Sequence, residues 1–172
     1  MPVDVRPLRP EDDRKTFRSG NDELDRFFSR YAGQNQFRHH VGTTYVALEV
    51  GAIVGFVTVS ASHVEIDDLP EARRRSLPRY PLPVLRLARL AVASSAQRRG
   101  VGDLLVATVF RVAHEMARTV GCVGIVVDAL ADAIPFYERL GFEPLPTTAG
   151  SLEDRPEPRP MFLPRGSIPS DD

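Results

Sequence analysis

The residues with the clearest chemical promise lie in one short run, Gln97-Arg98-Arg99-Gly100-Val101-Gly102-Asp103. Two glycines one residue apart let main-chain N–H groups approach a ligand with no Cβ in the way. After them, Val101, Leu104, Leu105, Thr108, Val109, Val112 and Met116 recur at three and four residues, which predicts one helix over 100–120. Its first turn would carry N–H donors without intrahelical partners and a partial positive charge. A glycine turn at a helix start is an anion site suited to pyrophosphate, and Arg98 and Arg99 add cationic side chains. Other phosphate motifs fit worse. Gly102 is followed by Asp103-Leu104 rather than Lys and Ser/Thr, and the third glycine of the dinucleotide fingerprint is replaced by Leu105. Taken alone, a Gly-x-Gly is equally a strand–helix turn that binds nothing.

The surrounding elements read as an alternation of strands and helices. A first strand is predicted over 3–8, and a capped amphipathic helix over 22–36 from Leu24, Phe27, Phe28 and Tyr31. Two β-branched and aromatic runs, 43–50 and 53–60, flank Gly51-Ala52 as a hairpin. A proline-rich loop over 67–83, with a short helix at 70–76, leads into a mostly apolar strand over 84–93 and a turn over 94–99. Gly121 stops the long helix, and a buried strand over 122–128 follows. A short helix over 131–140 is stopped by Gly141, a strand starts at 142–145, a turn lies at 155–158 and a last strand at 159–163. The fold class is α/β, a mixed sheet with helices on both faces. One domain is expected over 1–165, with 166–172 a disordered tail.

Composition narrows the function classes. Hydrophobic residues make up 42% and charged residues 26% of 172 residues, with a net charge of −1. No stretch approaches the roughly 18–20 apolar residues of a membrane span, and Met1 to Arg6 lacks the apolar core of a signal peptide. Cys122 is the only cysteine, which rules out an intrachain disulfide and a cysteine zinc cluster and reads as a small core residue. These features point to the cytoplasm, with no membrane partner. His39-His40 and His114 read as structural rather than as metal ligands. Eight arginines (Arg73, Arg74, Arg75, Arg79, Arg86, Arg89, Arg98, Arg99) fall between positions 72 and 99 with no acidic residue among them. Such a run is either a solvated surface or the footprint of a phosphate-rich partner.

Two motifs in order carry a family resemblance. Arg89-Leu90-Ala91-Val92, followed by Gln97 to Leu105, resembles the Gln/Arg-x-x-Gly-x-Gly/Ala acetyl-CoA motif of the GNAT acetyltransferases. Ala133-Ile134-Pro135-Phe136-Tyr137-Glu138-Arg139-Leu140-Gly141-Phe142 resembles that family's Phe-Tyr-x-x-x-Gly-Phe segment. The likeness spans about 3–162. It implies the GNAT fold, acetyl-CoA as cosubstrate and no metal. Leu90, Ala91 and Val92 would line the pantetheine arm, as an added strand does. Gln97, Arg98, Arg99, Gly100, Val101, Gly102 and Asp103 would hold the pyrophosphate. The strand from Cys122 would splay from the one ending at Ala93 to admit the thioester. Tyr137 would stand beside the departing sulfur as general acid, and the Val92 N–H would face the oxyanion.

The acceptor is a primary amine, which must be neutral to attack. Glu65, His63 and Glu49 qualify as its base by type only, and Asp128 either caps the next helix or lines the acceptor site. An aminoacyl ester has an amine of low pKa and needs no strong base. The run Phe17-Arg18-Ser19-Gly20-Asn21-Asp22-Glu23-Leu24-Asp25 resembles the opening of GNAT toxins of the TacT kind, as do Thr44-Tyr45-Val46 and Leu77-Pro78-Arg79-Tyr80-Pro81. That resemblance implies acetylation of aminoacyl-tRNA, a block on translation, a ribbon-helix-helix antitoxin and a homodimer. Arg73, Arg74, Arg75, Arg79, Arg86 and Arg89 would then track tRNA phosphates. The alternatives are a GNAT enzyme acting on a small-molecule or protein amine, and a non-catalytic coenzyme A-binding module.

Overall fold

The computed structural model describes residues 2–146 and 158–170. Two compact units share the chain, Met1–Ser60 with Leu87–Arg111, and Ala61–Arg86 with Val112–Asp172.

The first unit contains β1 (Asp4–Pro7), α1 (Asp22–Arg30), α2 (Ala32–Phe37) and β2 (Thr43–Glu49), with parts of β3 (Ala52–Val64), β4 (Leu82–Val92) and helix α4 (Val101–Thr119). Its strands run in the order β1-β2-β3-β4. β1 and β2 are antiparallel, with Val5 opposite Ala47, and β2 and β3 are antiparallel, with Tyr45 opposite Val57. The hairpin turn is Val50-Gly51, because Glu49 pairs with Ala52. Both turn residues have positive φ, 49° and 77°. Such a two-residue turn matches the twist of the strands, and it lies one position before the expected Gly51-Ala52.

α1 starts at Asn21, whose Oδ1 accepts the Leu24 N–H at 3.1 Å, and Asp22, Glu23 and Asp25 place negative charge in its first turn. The ring of Phe28 stacks on Phe56 of β3 at 4.3 Å, and Phe17 packs edge-on to both. The expected single helix over 22–36 breaks at Tyr31, where φ is −116°. Gly33 lies in the first turn of α2, and glycine weakens a helix interior; the Arg14 guanidinium packs 2.4 Å from where a Cβ on Gly33 would sit.

The second unit contains α3 (Glu71–Arg74), β5 (Gly124–Ala129), α5 (Ile134–Arg139), β6 (Glu143–Pro144) and β7 (Arg159–Pro164). Its strand order is β4-β5-β7-β6, with Val126 opposite Phe162 and Glu143 opposite Phe162. Val64, Leu69, Leu82, Val84, Val126 and Phe162 form its core. A Cβ on Gly124 would meet the Leu163 carbonyl at 2.4 Å, so glycine permits this close pairing of β5 and β7. Gly121 and Gly141, with φ of 110° and 100°, follow α4 and α5 as the sequence requires.

The tail differs from expectation. Arg165–Ser167 forms a 3₁₀ turn, Ile168 is 5% exposed, and the His114 ring Nε2 lies 2.8 Å from the Pro169 carbonyl. Burial of one isoleucine plus local hydrogen bonds orders the segment to Ser170. Residues 155–157 of the expected turn and 171–172 of the expected tail lie outside the described residues.

Candidate functional site

The glycine turn is built entirely within the first unit. β4 ends at Val92, and the next N–H, of Ala93, donates to the Val54 carbonyl of β3 at 2.8 Å. Strand alternation then directs the main-chain groups of Val92 and Leu90 to the other edge of β4. A 3₁₀ turn at Ser94–Ala96 follows, and the Leu104 N–H donates to the Gly100 carbonyl at 3.2 Å as α4 begins. Arg98 has φ 65° and Gly100 φ 84°. A Cβ on Gly100 would touch nothing within 4 Å, so its left-handed φ, rather than crowding, calls for glycine. Arg98 adopts the same region without that freedom, which stores strain of about 1–3 kcal/mol in the turn. Left-handed residues beside a helix start aim successive N–H groups into one concavity, the arrangement of an anion nest.

One residue that positions this turn escaped motif reading. A Cβ on Gly55 would lie 3.0 Å from both Leu105 Cδ1 and Val101 Cγ1 and 3.1 Å from the Ala91 carbonyl. Gly55 therefore lets the first turns of α4 settle directly on β3. A glycine inside the apolar run Ile53-Val54-Gly55-Phe56-Val57 is the signal that could have found it.

The polar side chains of the turn divide their tasks. Gln97 Nε2 donates to the carbonyls of Ser19 (3.0 Å) and Val92 (3.2 Å), so its amide braces the turn rather than facing a ligand. Arg99 pairs with Glu49 at the end of β2. Arg98 is exposed and has no side-chain partner among the described residues. The turn fits a pyrophosphate through main-chain donors plus one available guanidinium.

In the second unit, Tyr137 on α5 is 4% exposed and packs edge-on to Phe136 and Phe142 at 5.1 and 5.3 Å. Burial raises its phenol pKa above the ordinary value, so the ring stays protonated. Among the described residues, no group accepts from its hydroxyl.

The arginine run is partly engaged. Arg73 donates to both Glu143 oxygens at 2.9 and 3.3 Å, Arg74 donates to the Leu69 and Asp67 carbonyls, and Arg86 pairs with Asp128 at 2.9 Å. Arg75 and Arg79 are exposed. Arg89 lies 4.8 Å above the Phe27 ring in the first unit, a cation–π contact that leaves its charge unneutralised. Asp128 caps no helix. It belongs to β5, and Leu130 occupies the cap of the following 3₁₀ turn.

Of the suggested bases, Glu49 holds Arg99 and Glu65 closes a capping box with Asp68, while His63 is exposed. No group of three metal-ligating side chains occurs among the described residues. Cys122 is buried, donates to the Gly124 carbonyl, and has a thiol pKa pushed up by burial. No described helix is long and apolar enough to cross a membrane.

Comparison with known proteins agrees with this geometry. The family described as Acetyltransferase (GNAT) domain matches residues 40–144. A tRNA-acetylating toxin of Mycobacterium tuberculosis is 34% identical over 143 residues, which are 83% of this chain and 85% of the toxin. The solved structure of AtaT complexed with acetyl-methionyl-tRNAfMet matches with a TM-score of 0.85 and 26% identity over 97% of both chains. A tyrosine-to-phenylalanine variant of the toxin KacT matches at 0.83 and 27% over 96% of both chains. With its α/β architecture and intact glycine turn, the chain belongs to the GNAT acetyltransferase family, on the branch that holds the TacT-like toxins.

Proposed function

We propose that this protein moves the acetyl group of acetyl-CoA onto the amino group of an aminoacyl-tRNA and thereby stops translation. The observation that carries the reading is its likeness, across more than four-fifths of both chains, to a tRNA-acetylating toxin. The glycine turn supports it, since its left-handed Arg98 and Gly100 and the α4 start form an anion nest for the pyrophosphate. Solved complexes of AtaT with its antitoxin AtaR and acetyl-CoA support an antitoxin partner here as well. A cytoplasmic setting follows from the tRNA substrate, and a homodimer is the assembly this reading carries.

Acetyl-CoA supplies an activated carbonyl and a thiolate leaving group. The N–C bond forms, the C–S bond breaks, and one proton passes in net terms from nitrogen to sulfur. Arg98, and Arg99 to Asp103 through their main chain, hold the donor, while Gln97 braces the end of β4 beside it. Leu90, Ala91 and Val92 line its arm, and the Val92 N–H faces the carbonyl oxygen as charge develops. Tyr137 takes the role beside the sulfur by its match to the family's Phe-Tyr-x-x-x-Gly-Phe segment. Its raised pKa lies above that of an ordinary thiol, about 8.5, so transfer of its proton is uphill. The phenol acts first by donating a hydrogen bond, and proton passage completes as the C–S bond opens. Arg79, Arg86 and Arg89 contribute charge for tRNA phosphates, with Arg86 shared by Asp128.

The test uses labelled acetyl-CoA, bulk aminoacylated tRNA, and wild type beside Tyr137→Phe. Label should enter the aminoacyl group with wild type and fall about 100-fold or more with Tyr137→Phe at unchanged acetyl-CoA affinity. Acetyl-CoA binding without transfer to charged tRNA would redirect the reading to small-molecule or protein amines.

A further inference from the structure

The loop before α1 and the glycine turn are joined by a chain of hydrogen bonds, all within the first unit. On α1, the Asp25 carboxylate accepts the Ser19 N–H at 3.0 and 3.2 Å and the Ser19 hydroxyl at 2.7 Å. This fixes the 18–20 backbone, where Gly20 has φ 93° and the Arg18 carbonyl accepts the Ser94 N–H at 2.9 Å. The Ser19 carbonyl in turn accepts from Gln97 Nε2, and the second Nε2 hydrogen reaches the Val92 carbonyl. The Val92–Ala93 peptide is thus held at both ends, by Gln97 at its oxygen and by Val54 at its N–H. A peptide held at both ends cannot rock about its flanking bonds, and the orientation of the residue before it follows.

We propose that Gln97 is a positioning residue: through Ser19 and Asp25 it locks the end of β4 to α1, and so sets the direction of the Val92 main chain toward the thioester. The inference rests on the donor site read above. It separates two tasks that the motif merges. Main-chain donors of the turn hold the pyrophosphate, whereas the Gln97 side chain governs the geometry of the reacting carbonyl. Removal of the brace should therefore slow the chemical step while leaving acetyl-CoA affinity in place. The requirement is two N–H donors reaching two carbonyls, which an arginine also meets.

The experiment measures acetyl-CoA binding by calorimetry and single-turnover acetyl transfer for wild type, Gln97→Leu, Gln97→Arg, Asp25→Ala and the double variant Gln97→Leu/Asp25→Ala. The turnover of Gln97→Leu and Asp25→Ala should each fall about 10- to 100-fold, since a displacement near 1 Å costs that much. Their acetyl-CoA affinity should stay within about threefold, because the main-chain donors of the nest are kept. The double variant should be no slower than the slower single one, the signature of residues acting in one chain. Gln97→Arg should recover most of the loss. A Gln97→Leu turnover equal to wild type, a loss confined to acetyl-CoA affinity, or additive effects in the double variant would each overturn the inference. A merely misfolded Gln97→Leu would show itself by failure of Gln97→Arg to recover transfer, and that outcome also overturns it. Wild type that binds no acetyl-CoA would remove the donor-site reading and this inference together; wild type that turns over, beside an equally active Gln97→Leu, removes the inference alone.

Discussion

Asp12 holds together a stretch that looks, by composition, like solvated loop. Its carboxylate accepts both terminal nitrogens of Arg6 at 2.8 Å and the Arg9 N–H at 2.8 Å. The Arg6 hydrogen bonds hold its pKa below the usual carboxylate value, against a smaller opposing effect of burial. A carboxylate with a depressed folded-state pKa adds stability above its unfolded pKa, and that stability is lost as pH falls through the folded value. Asp12→Asn should therefore lower the urea midpoint at pH 7 and by nearly as much near pH ~5, with the gap to wild type closing below about pH 4. A gap undiminished at pH 3 would place the effect elsewhere. Gln97 teaches the complementary lesson. The motif located it, but nothing in the spacing revealed that its amide serves Ser19, because a hydrogen-bond partner 78 positions away leaves no local pattern. Arg99 was likewise legible as a charge beside the glycines, while its pairing with Glu49 depends on where the hairpin ends.

Among the elements, those with strong periodicity were read closely and those set by packing were not. α4 extends over Val101–Thr119 against an expected 100–120, since six apolar positions with Thr108 and a terminal glycine define it locally. One helix over 22–36 is expected where the structure has two, α1 and α2, with Gly33 inside the second. The turn at Val50-Gly51 was displaced by one residue because valine is a poor guide to a left-handed position. Gly55 carries the sharpest consequence at this scale. Gly55→Ala would push a methyl to within 3.1 Å of a backbone carbonyl and 3.0 Å of two α4 side chains. A carbonyl cannot yield as a flexible side chain can, so stability should drop by about 1–3 kcal/mol. The start of α4 should shift with it, weakening acetyl-CoA binding about tenfold or more through the displaced nest. Unchanged affinity in Gly55→Ala, followed by acetyl-CoA titration, would free the nest from dependence on β3.

For the molecule as a whole, charge says less than its placement. The net charge of −1 hides the arginine run, and the structure shows that Arg73 and Arg86 are answered by Glu143 and Asp128. Of the residues proposed for the tRNA phosphates, Arg86 shares its charge with Asp128, Arg79 is exposed, and Arg89 meets no carboxylate among the described residues. Binding of tRNA should weaken linearly on a logarithmic salt scale, and Arg79→Ala should reduce the slope by about one. An identical slope in Arg79→Ala, measured by filter binding between low and physiological salt, would move the phosphates elsewhere. The fold class was legible because strands and helices alternate along the chain. The packed end of the chain was not, since a single Ile168 gives no periodicity to read. The lone, buried Cys122 has a different use from any chemistry considered so far. Sheltered at the entrance to β5, it makes the chain its own stopwatch. The rate at which a thiol reagent labels the native protein, divided by the rate for the denatured chain, gives the free energy of local opening there, with no engineered tag and no second site to confuse the signal.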